Sequence, residues 1–432
     1  RANKILTKEY TQELGTLKKE DGTSTTNTNE TLKRLAEGLL GPYRNDTDAP
    51  NTTTEPIEIN QEILDKITSP NRLKKAIDQL KTKKTPGPDN ISNEMIKNSH
   101  DLVKTSIQEI IKQSFATGVI PKTWNNANSA IISKPNKTSY DEVKSRRIIS
   151  LTSNTLKLAE TLMLWYFTED CEIGKKLHKN QMGFRAGFST DAAIAKVINK
   201  IEKCKNQKGH VFGVFLDIQG AFDNLPHDKI EESLKKTKAE QFAIRWITNM
   251  IKSRTITLKS GPTTLTWKIS KGCPQGGVLS PFLWNLVLDD LLTSLNLHGN
   301  LLAYADDLLI LQEGSNRNLM IAKETTREHV SKIYDWCRSK GLELSTLKTQ
   351  VVLWSKSKNK PSAITINGQQ IEIKESAIYL GVHIDESLKW TTHIEHKLQQ
   401  CNSLFQKLKK AIGKKWGLKP KVIKWIYQAI VL

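Results

Sequence analysis

The chain has 432 residues, with 65 Lys and Arg against 45 Asp and Glu, a formal net charge of +20 with the nine His neutral. A quarter of the residues are charged and 38% are hydrophobic, which is globular composition and excludes a disordered chain. No run of ~20 apolar residues offers a membrane-spanning helix, and five scattered Cys without a CxxC exclude a disulfide framework.

At roughly 100–200 residues per domain, this length suggests two to four domains or subdomains. The basic excess asks for a polyanion, nucleic acid first and an anionic membrane surface second.

Residues 1–60 are the least core-like, with nine Thr between Thr23 and Thr54 and the breakers Gly22 and Pro42. A short helix is expected over Glu30 to Leu40, with linker around it. Three sequons (Asn29, Asn45, Asn51) lie here without a secretory signal, so glycosylation is not expected. Ser69 is a plausible N-cap with Pro70 at the first helical position, and Leu73, Ile77 and Leu80 recur at helical spacing. A second helix is expected from about Asn93 to Thr117, and another from Leu156 to Phe167.

Val211–Leu216 is a continuous apolar run ending at Asp217, the pattern of a buried strand with an acid at its tip. Helices are expected over Pro226–Lys236, 279–293 and 318–340, and a strand over 349–354. Leu301–Tyr304 and Leu308–Leu311 flank Ala305, Asp306 and Asp307, a strand–turn–strand hairpin with acids at its bend. Ile394, Leu398, Cys401, Phe405, Leu408 and Ile412 form an amphipathic stripe. From Thr391 to Leu432 nine Lys face one Glu, so this helix is a candidate for phosphate contact along a duplex, with a solvated helix face as the alternative. The start without Met and the stop inside an apolar segment predict a piece of a longer polyprotein.

Asp217, Asp306 and Asp307 stand next to buried-strand sequence, where an unpaired carboxylate is costly. Any one of them alone reads as a solvated strand-end acid or a helix cap. Two adjacent Asp between apolar runs repel unless a cation separates them. Hard oxygen ligands favour Mg²⁺, which takes one or two carboxylates plus substrate phosphates, and two such ions suit in-line phosphoryl displacement.

Phe215–Asp223, with Gly220, Ala221 and Phe222 inside it, resembles the first palm motif of reverse transcriptases. Gly272–Pro281, Tyr304–Asp307, Gly341–Leu344 through Lys348, and Tyr379-Leu380-Gly381-Val382 resemble the later motifs in the family's order. Lys84–Ile91 and Gln181–Arg185 with Gly187–Thr190 resemble segments of non-LTR (LINE-type) retrotransposon polymerases. Trp390, His393, Gly417, Leu418, Ile426 and Tyr427 are similar to the tail of Jockey-like insect elements. The resemblance covers roughly residues 15 to 432.

It implies an α+β right-hand polymerase fold: fingers at 61–207, a palm with an antiparallel sheet at 208–382 and a partial helical thumb at 383–432, preceded by a linker at 1–60. It implies an RNA-directed DNA polymerase with two Mg²⁺ ions, or Mn²⁺ in their place, on Asp217, Asp306 and Asp307. Phe222 would pack under the deoxyribose and exclude a 2′-hydroxyl; otherwise it is a core Phe. Gln275 would hydrogen-bond the incoming nucleotide beside Gly220 and Ala221. Lys134 and Arg147 would grip the triphosphate; here Arg146-Arg147-Ile148 replaces the family's Tyr-Arg-Pro, which leaves open which arginine points inward. Lys348 would give a proton to pyrophosphate or lie on the surface. Arg185 would touch template backbone or order the fingers, and Tyr379, Leu380 and Gly381 would grip the primer. His393, His396 and Cys401 invite zinc, with a plain helix flank as the alternative.

The implied partners are an RNA template, a DNA primer, dNTPs, the element's own RNA and an upstream endonuclease domain, with no membrane. The implied locations are a cytoplasmic ribonucleoprotein and the nucleus. The competing readings are an RNA-dependent RNA polymerase, an intron-type reverse transcriptase, and an inactive RNA-binding remnant of a decayed element.

Overall fold

A strand as apolar as His210–Leu216 must be covered on both faces, and the computed structural model builds the molecule around that requirement. It describes residues 13–43, 57–410 and 419–430, apart from 136, 138, 296, 298, 299, 316, 317, 358 and 367. The helices used below are α1 (Thr28–Leu40), α2 (Gln61–Ile67), α3 (Pro70–Asp78), α4 (Asn93–Lys97), α5 (Asp101–Thr117), α6 (Asn154–Trp165), α7 (Thr190–Asn206), α8 (His227–Lys235), α9 (Gln241–Lys252), α10 (Ser280–Ser294), α11 (Leu319–Ser339), α12 (Thr391–Lys410) and α13 (Pro420–Ile430). The strands are β1 (Asn126–Ser133), β2 (Arg146–Leu151), β3 (His210–Asp217), β4 (Thr255–Ser260), β5 (Thr263–Lys268), β6 (Leu301–Tyr304), β7 (Asp307–Gly314), β8 (Gln350–Trp354), β9 (Ala363–Ile366), β10 (Gln369–Lys374), β11 (Ser376–Tyr379) and β12 (Val382–Asp385).

β3 is central in a six-stranded sheet of order β6-β7-β3-β8-β10-β9. It runs antiparallel to β7 and β8. Phe212, Val214 and Leu216 face one core, shared with α6, α8, α9, α10 and α11. Val211 and Phe215 face the other, packed on Ala193, Val197 and Ile201 of α7 and on Tyr379 and Ile384 of the β11–β12 hairpin. Burial ends at Asp217, where the strand leaves both layers.

A second sheet has the order β2-β1-β4-β5. Here the structure departs from the expected layout. β4 and β5 fall within the span expected as palm, yet β4 pairs in parallel with β1, Asn126 opposite Thr255. Residues 13–43 are not linker. Leu17, Leu32, Leu35, Ala36 and Leu40 are buried against Ala127, Ile148, Ile256, Leu258 and Trp267 of this sheet. The threonine-rich composition misled because threonine hydroxyls supply the hydrogen bonds that burial requires. The Leu17 amide donates to Thr25 Oγ1 at 3.0 Å, and Thr25 Oγ1 pairs with Thr31 Oγ1 at 2.7 Å.

The helix expected over Asn93–Thr117 breaks in two at Ser99, and the His100 ring caps α5 by accepting from the Leu102 amide. Ser69 precedes α3 without a side-chain cap bond, while Pro70 takes the first turn as expected. Asp89 accepts from Ser153, and Asn154 donates to the Ile91 carbonyl at 2.8 Å, so the Lys84–Ile91 motif docks the chain onto the start of α6. α12 is helical as expected, but Ile394, Leu398 and Phe405 are exposed among the described residues. Ile412, Gly417, Leu418 and the sequons at Asn45 and Asn51 lie outside the described residues, as do the side chains of Leu408 and Ile426. Among the described residues no helix is long and apolar enough to cross a membrane.

Candidate active site

The β3–β7 register places Asp217 directly opposite Asp307, and the β6–β7 register places Tyr304 opposite Asp307, so Ala305 and Asp306 form the turn between them. Two adjacent carboxylates and a third about 90 residues earlier in the sequence thus meet at the strand ends of one sheet. Burial raises the Asp306 carboxyl above the usual range, and the Asp217 charge raises it further. Burial also pushes Asp307 up to about 6, with added repulsion from Asp306 and Asp217. Lys348 Nζ lies 2.7 Å from Asp217 Oδ2. Its segment continues the end of β3: the Gln219 amide donates to Glu343 at 2.8 Å and the Ser345 amide to the Asp217 carbonyl at 2.9 Å. A cleft of about 260 Å³ opens here, lined by Asp217, Asp307, Lys348, Lys374 and Tyr379 among others.

Raised, mutually repelling acids are a donor set that a cation relieves. Among the described residues no three His, Cys, Asp or Glu side chains are already arranged to hold one ion. His383 brings a third ring near His393 and His396, at 6.1 and 4.6 Å between centroids, but this group forms no such site either.

The hairpin turn is held rigidly. Ala305 is left-handed, with φ +57°. Trp284 Nε1 donates to its carbonyl at 2.9 Å. The Gln181–Arg185 segment runs alongside β6, the Met182 amide donating to Ala303 and the Ala303 amide to Asn180, both at 2.9 Å. Asn285 joins Gln181 and donates to the Gly183 carbonyl at 3.0 Å. Gly183 lies so close that a Cβ there would sit 2.2 Å from the Ala305 nitrogen. Arg185 is turned into its own loop, donating to the carbonyls of His178 (2.8 Å), Gln181 (2.9 Å) and Gly174 (3.0 Å) beneath the Phe188 ring. Three of its five N–H donors are spent on this loop, which fits the expected role of ordering the segment. Trp284 and Asn285 were not singled out from sequence; the polar Asn285 inside an apolar helix was the available signal.

Beside the acids, Phe222 is half-buried between Trp284 (5.8 Å between rings) and Phe184 (5.9 Å, edge to face). Gly220 is exposed, but Ala221 is buried, which leaves it only backbone atoms to offer. Gln275 Nε2 donates to Asp223 Oδ2 at 2.7 Å, and the Gln275 carbonyl accepts from the Ser150 amide of β2 at 2.8 Å. Arg146 is buried against Tyr140, with bonds to Ser133 Oγ and the Tyr140 carbonyl, whereas Arg147 is exposed. Ile148 takes a regular ladder position opposite Ile131. Burial lowers the half-buried Lys134, and the neighbouring charges of Arg147 and Lys348 lower it further. Of the two arginines, Arg147 is the one whose charge acts on Lys134, Asp223 and Asp306.

Tyr379 departs from expectation. Its ring is 2% exposed and packs on Phe215 at 5.8 Å. Leu380 and Gly381, both left-handed, form the more open turn beside it.

Three charged groups inside the fold, Glu160 and Arg254 buried and Asp223 half-buried, were given no role from sequence. Asp223 is pushed up to about 6 by burial, against the pull of Arg254 and Lys134. Arg254 donates to the Gly272 carbonyl at 2.9 Å. Glu160, fully buried on α6, accepts from the amides of Val278 and Leu279, and burial pushes it up to about 7. A folded value of about 7 against an ordinary 4.5 means the native protein keeps a proton that the unfolded chain releases between those values. Stability therefore falls as pH rises from about 4.5 to about 7 and is level above. Glu160→Gln removes this slope. In denaturant titrations at pH 5 and pH 8, the gap between variant and wild type should change by about 3 kcal/mol in the variant's favour; a constant gap would show that Glu160 does not titrate there.

Residues 132–384 match the protein family described as reverse transcriptase (RNA-dependent DNA polymerase). A 115 kDa protein in type-1 retrotransposable element R1DM of Drosophila melanogaster is 27% identical over 353 residues, 82% of this chain and 34% of that protein. The RNA-directed DNA polymerase from mobile element jockey of the same organism is 27% identical over 336 residues, 76% of this chain and 36% of that protein. The retrovirus-related Pol polyprotein from type-1 retrotransposable element R1 of Bradysia coprophila is 27% identical over 347 residues, 79% and 34%. The chain spans about a third of the length of these relatives.

Proposed function

The chain belongs to the reverse transcriptase (RNA-dependent DNA polymerase) family, and on that premise we propose that it is the polymerase segment of a non-LTR retrotransposon polyprotein, adding dNTPs to a primer 3′-hydroxyl on an RNA template. The observation that carries this reading is the meeting of Asp217, Asp306 and Asp307 at the strand ends of one sheet, two of them with raised carboxyls, beside a cleft lined by Lys348 and Lys374 and within the electrostatic reach of Arg147.

The family uses divalent metal ions. Asp217, Asp306 and Asp307 would hold two Mg²⁺, or Mn²⁺ in their place, which lower the pKa of an attacking hydroxyl and neutralise charge on a leaving pyrophosphate. The protein's own share is positioning and electrostatics. Arg147 and Lys134 bring charge-assisted donors to the triphosphate. The Lys348 ammonium, at the edge of the same cleft, is the proton source for pyrophosphate. The Phe222 ring, fixed between two aromatic neighbours, lies under the deoxyribose. We assign the fingers to the β2-β1-β4-β5 sheet with residues 13–43, the palm to the six-stranded sheet, and the thumb to α12 and α13. The element's own RNA, an upstream endonuclease domain, a cytoplasmic ribonucleoprotein and the nucleus complete the reading.

Primer extension on an RNA template with dNTPs and Mg²⁺ tests it. Extension with ribonucleotides alone would favour an RNA polymerase. Phe222→Ala should lower the preference for dNTPs over ribonucleotides by about 10–100-fold in kcat/KM; unchanged sugar selectivity would return Phe222 to a packing role.

A further inference from the structure

α12 stands almost clear of the palm. None of its described side chains is buried, and only His393, His396, Cys401 and Leu404 are partly covered. The two histidines lie at its root. There the His383 ring of β12 packs on His396 at 4.6 Å between centroids, and the His383 amide donates to His393 Nδ1 at 3.3 Å. A helix of 20 residues is about 30 Å long, so a rotation of about 10° at the root carries its far end about 5 Å. Whatever fixes the root therefore fixes the whole helix.

That root is built on Asp385, the last residue of β12. Its carbonyl accepts from Trp354 Nε1 at 2.9 Å, which ties it to the palm sheet. The Trp354 ring is fully buried and lies across β3, where a Cβ on Gly213 would sit 2.4 Å from it. The Asp385 carboxylate serves the other side of the joint. Oδ1 accepts from the Ser387 amide at 2.9 Å, from the Ser387 hydroxyl and from the Lys389 amide at 3.3 Å. Oδ2 accepts from the Trp390 amide at 3.1 Å. The Trp390 carbonyl in turn accepts from the Ile394 amide at 2.9 Å, which starts α12. Leu388 and Trp390 are both left-handed, at φ +60° and +63°, a conformation that residues with side chains rarely hold without support. Asp385 is buried, which works against its charge, yet bonds from Ser387 and the Lys389 amide hold its carboxyl below the usual range.

We infer that Asp385 is a positioning residue: its carboxylate fixes the direction in which α12 leaves the palm, and so how a primer–template duplex is held against the three acids. This rests on the reading of α12 as a thumb helix. The acid itself is enclosed by its own turn and touches neither nucleic acid nor nucleotide.

Two measurements test it. Asp385→Asn keeps the shape and the Oδ1 acceptor but turns a donor toward the Trp390 amide. Primer–template affinity should fall by about 10-fold, the worth of about one hydrogen bond to a charged group, because the helix must then be ordered on binding. In single-nucleotide incorporation, kcat at saturating primer–template and KM for the dNTP should stay within about 2-fold of wild type. Ser387→Ala leaves the Trp390 bond in place and should bind primer–template as wild type does. The second measurement needs no nucleic acid. Spin labels on Ser403→Cys of α12 and Glu202→Cys of α7, in a Cys171→Ser, Cys401→Ser background, should give a narrow distance distribution that broadens in Asp385→Asn. Unchanged affinity, an equal fall in kcat, an equal loss in Ser387→Ala, or an unchanged distance distribution would each overturn the proposal. A protein whose labels behave as expected but which extends no primer sinks the polymerase reading instead.

Discussion

Asp306→Asn should abolish nucleotide addition, by at least about 10³-fold in primer extension, while leaving template binding intact. Asparagine keeps the side-chain shape at the hairpin turn, so the Tyr304–Asp307 pairing survives. What disappears is one of the charges the site concentrates. Asp306 repels Asp307, whose carboxyl is pushed up to about 6 partly for that reason. The same variant should therefore be more stable than wild type, by about 1 kcal/mol near pH 8, where all three acids are otherwise ionised. An inactive but stabilised protein is the signature of charge gathered for function against the interest of folding. Near-normal incorporation by Asp306→Asn would exclude Asp306 as a ligand, and lower stability would show that the acid has a structural partner.

Gly183→Ala should damage the site out of proportion to one methyl. The added carbon would sit 2.2 Å from the Ala305 nitrogen and 2.9 Å from the Tyr304 carbonyl carbon, both backbone atoms that no rotamer change can clear. Ala305 is itself left-handed and bonded to Trp284 through its carbonyl, so the turn has no slack to absorb the push. Overpacking of this kind costs about 1–3 kcal/mol. A shift of about 1 Å at Asp306 costs about 100-fold in rate. Gly187→Ala is the control: its φ is +83° but nothing lies within 4 Å, so it should lose stability through strain and keep kcat. Equal kcat values in the two variants would refute the claim that Gly183 sets the height of the hairpin.

The acids were legible because their signal is local. An apolar run ending in Asp217 and two runs flanking Asp306 and Asp307 state a strand, a turn and an unpaired charge within ten residues each. The same holds for α10, α11 and β8, whose limits came out within a residue or two. What failed was contributed from afar. β4 was not singled out as a strand, and nothing within it announces that its partner is β1, about 130 residues earlier. Glu160 sits among leucines like any helix acid; its meaning comes from the Val278 amide 118 residues away. Arg185 was left between template contact and ordering of the fingers, and Tyr379 was placed at the primer; a side chain's direction depends on neighbours that lie outside its motif. Phe222 was legible as either gate or core, and its half-burial between Phe184 and Trp284 makes it a surface ring with a core's rigidity.

The packing of residues 13–43 bears on what counts as the autonomous unit. A recombinant fragment cut to the family match at 132–384 would keep Ile148, Ile256, Leu258 and Trp267 while discarding the leucines that cover them. It would present a bare apolar sheet face to solvent, an invitation to aggregate. The conserved vocabulary of the family and the cooperative folding unit therefore have different borders. The stretch that looks most dispensable in composition is what covers the apolar face of that sheet.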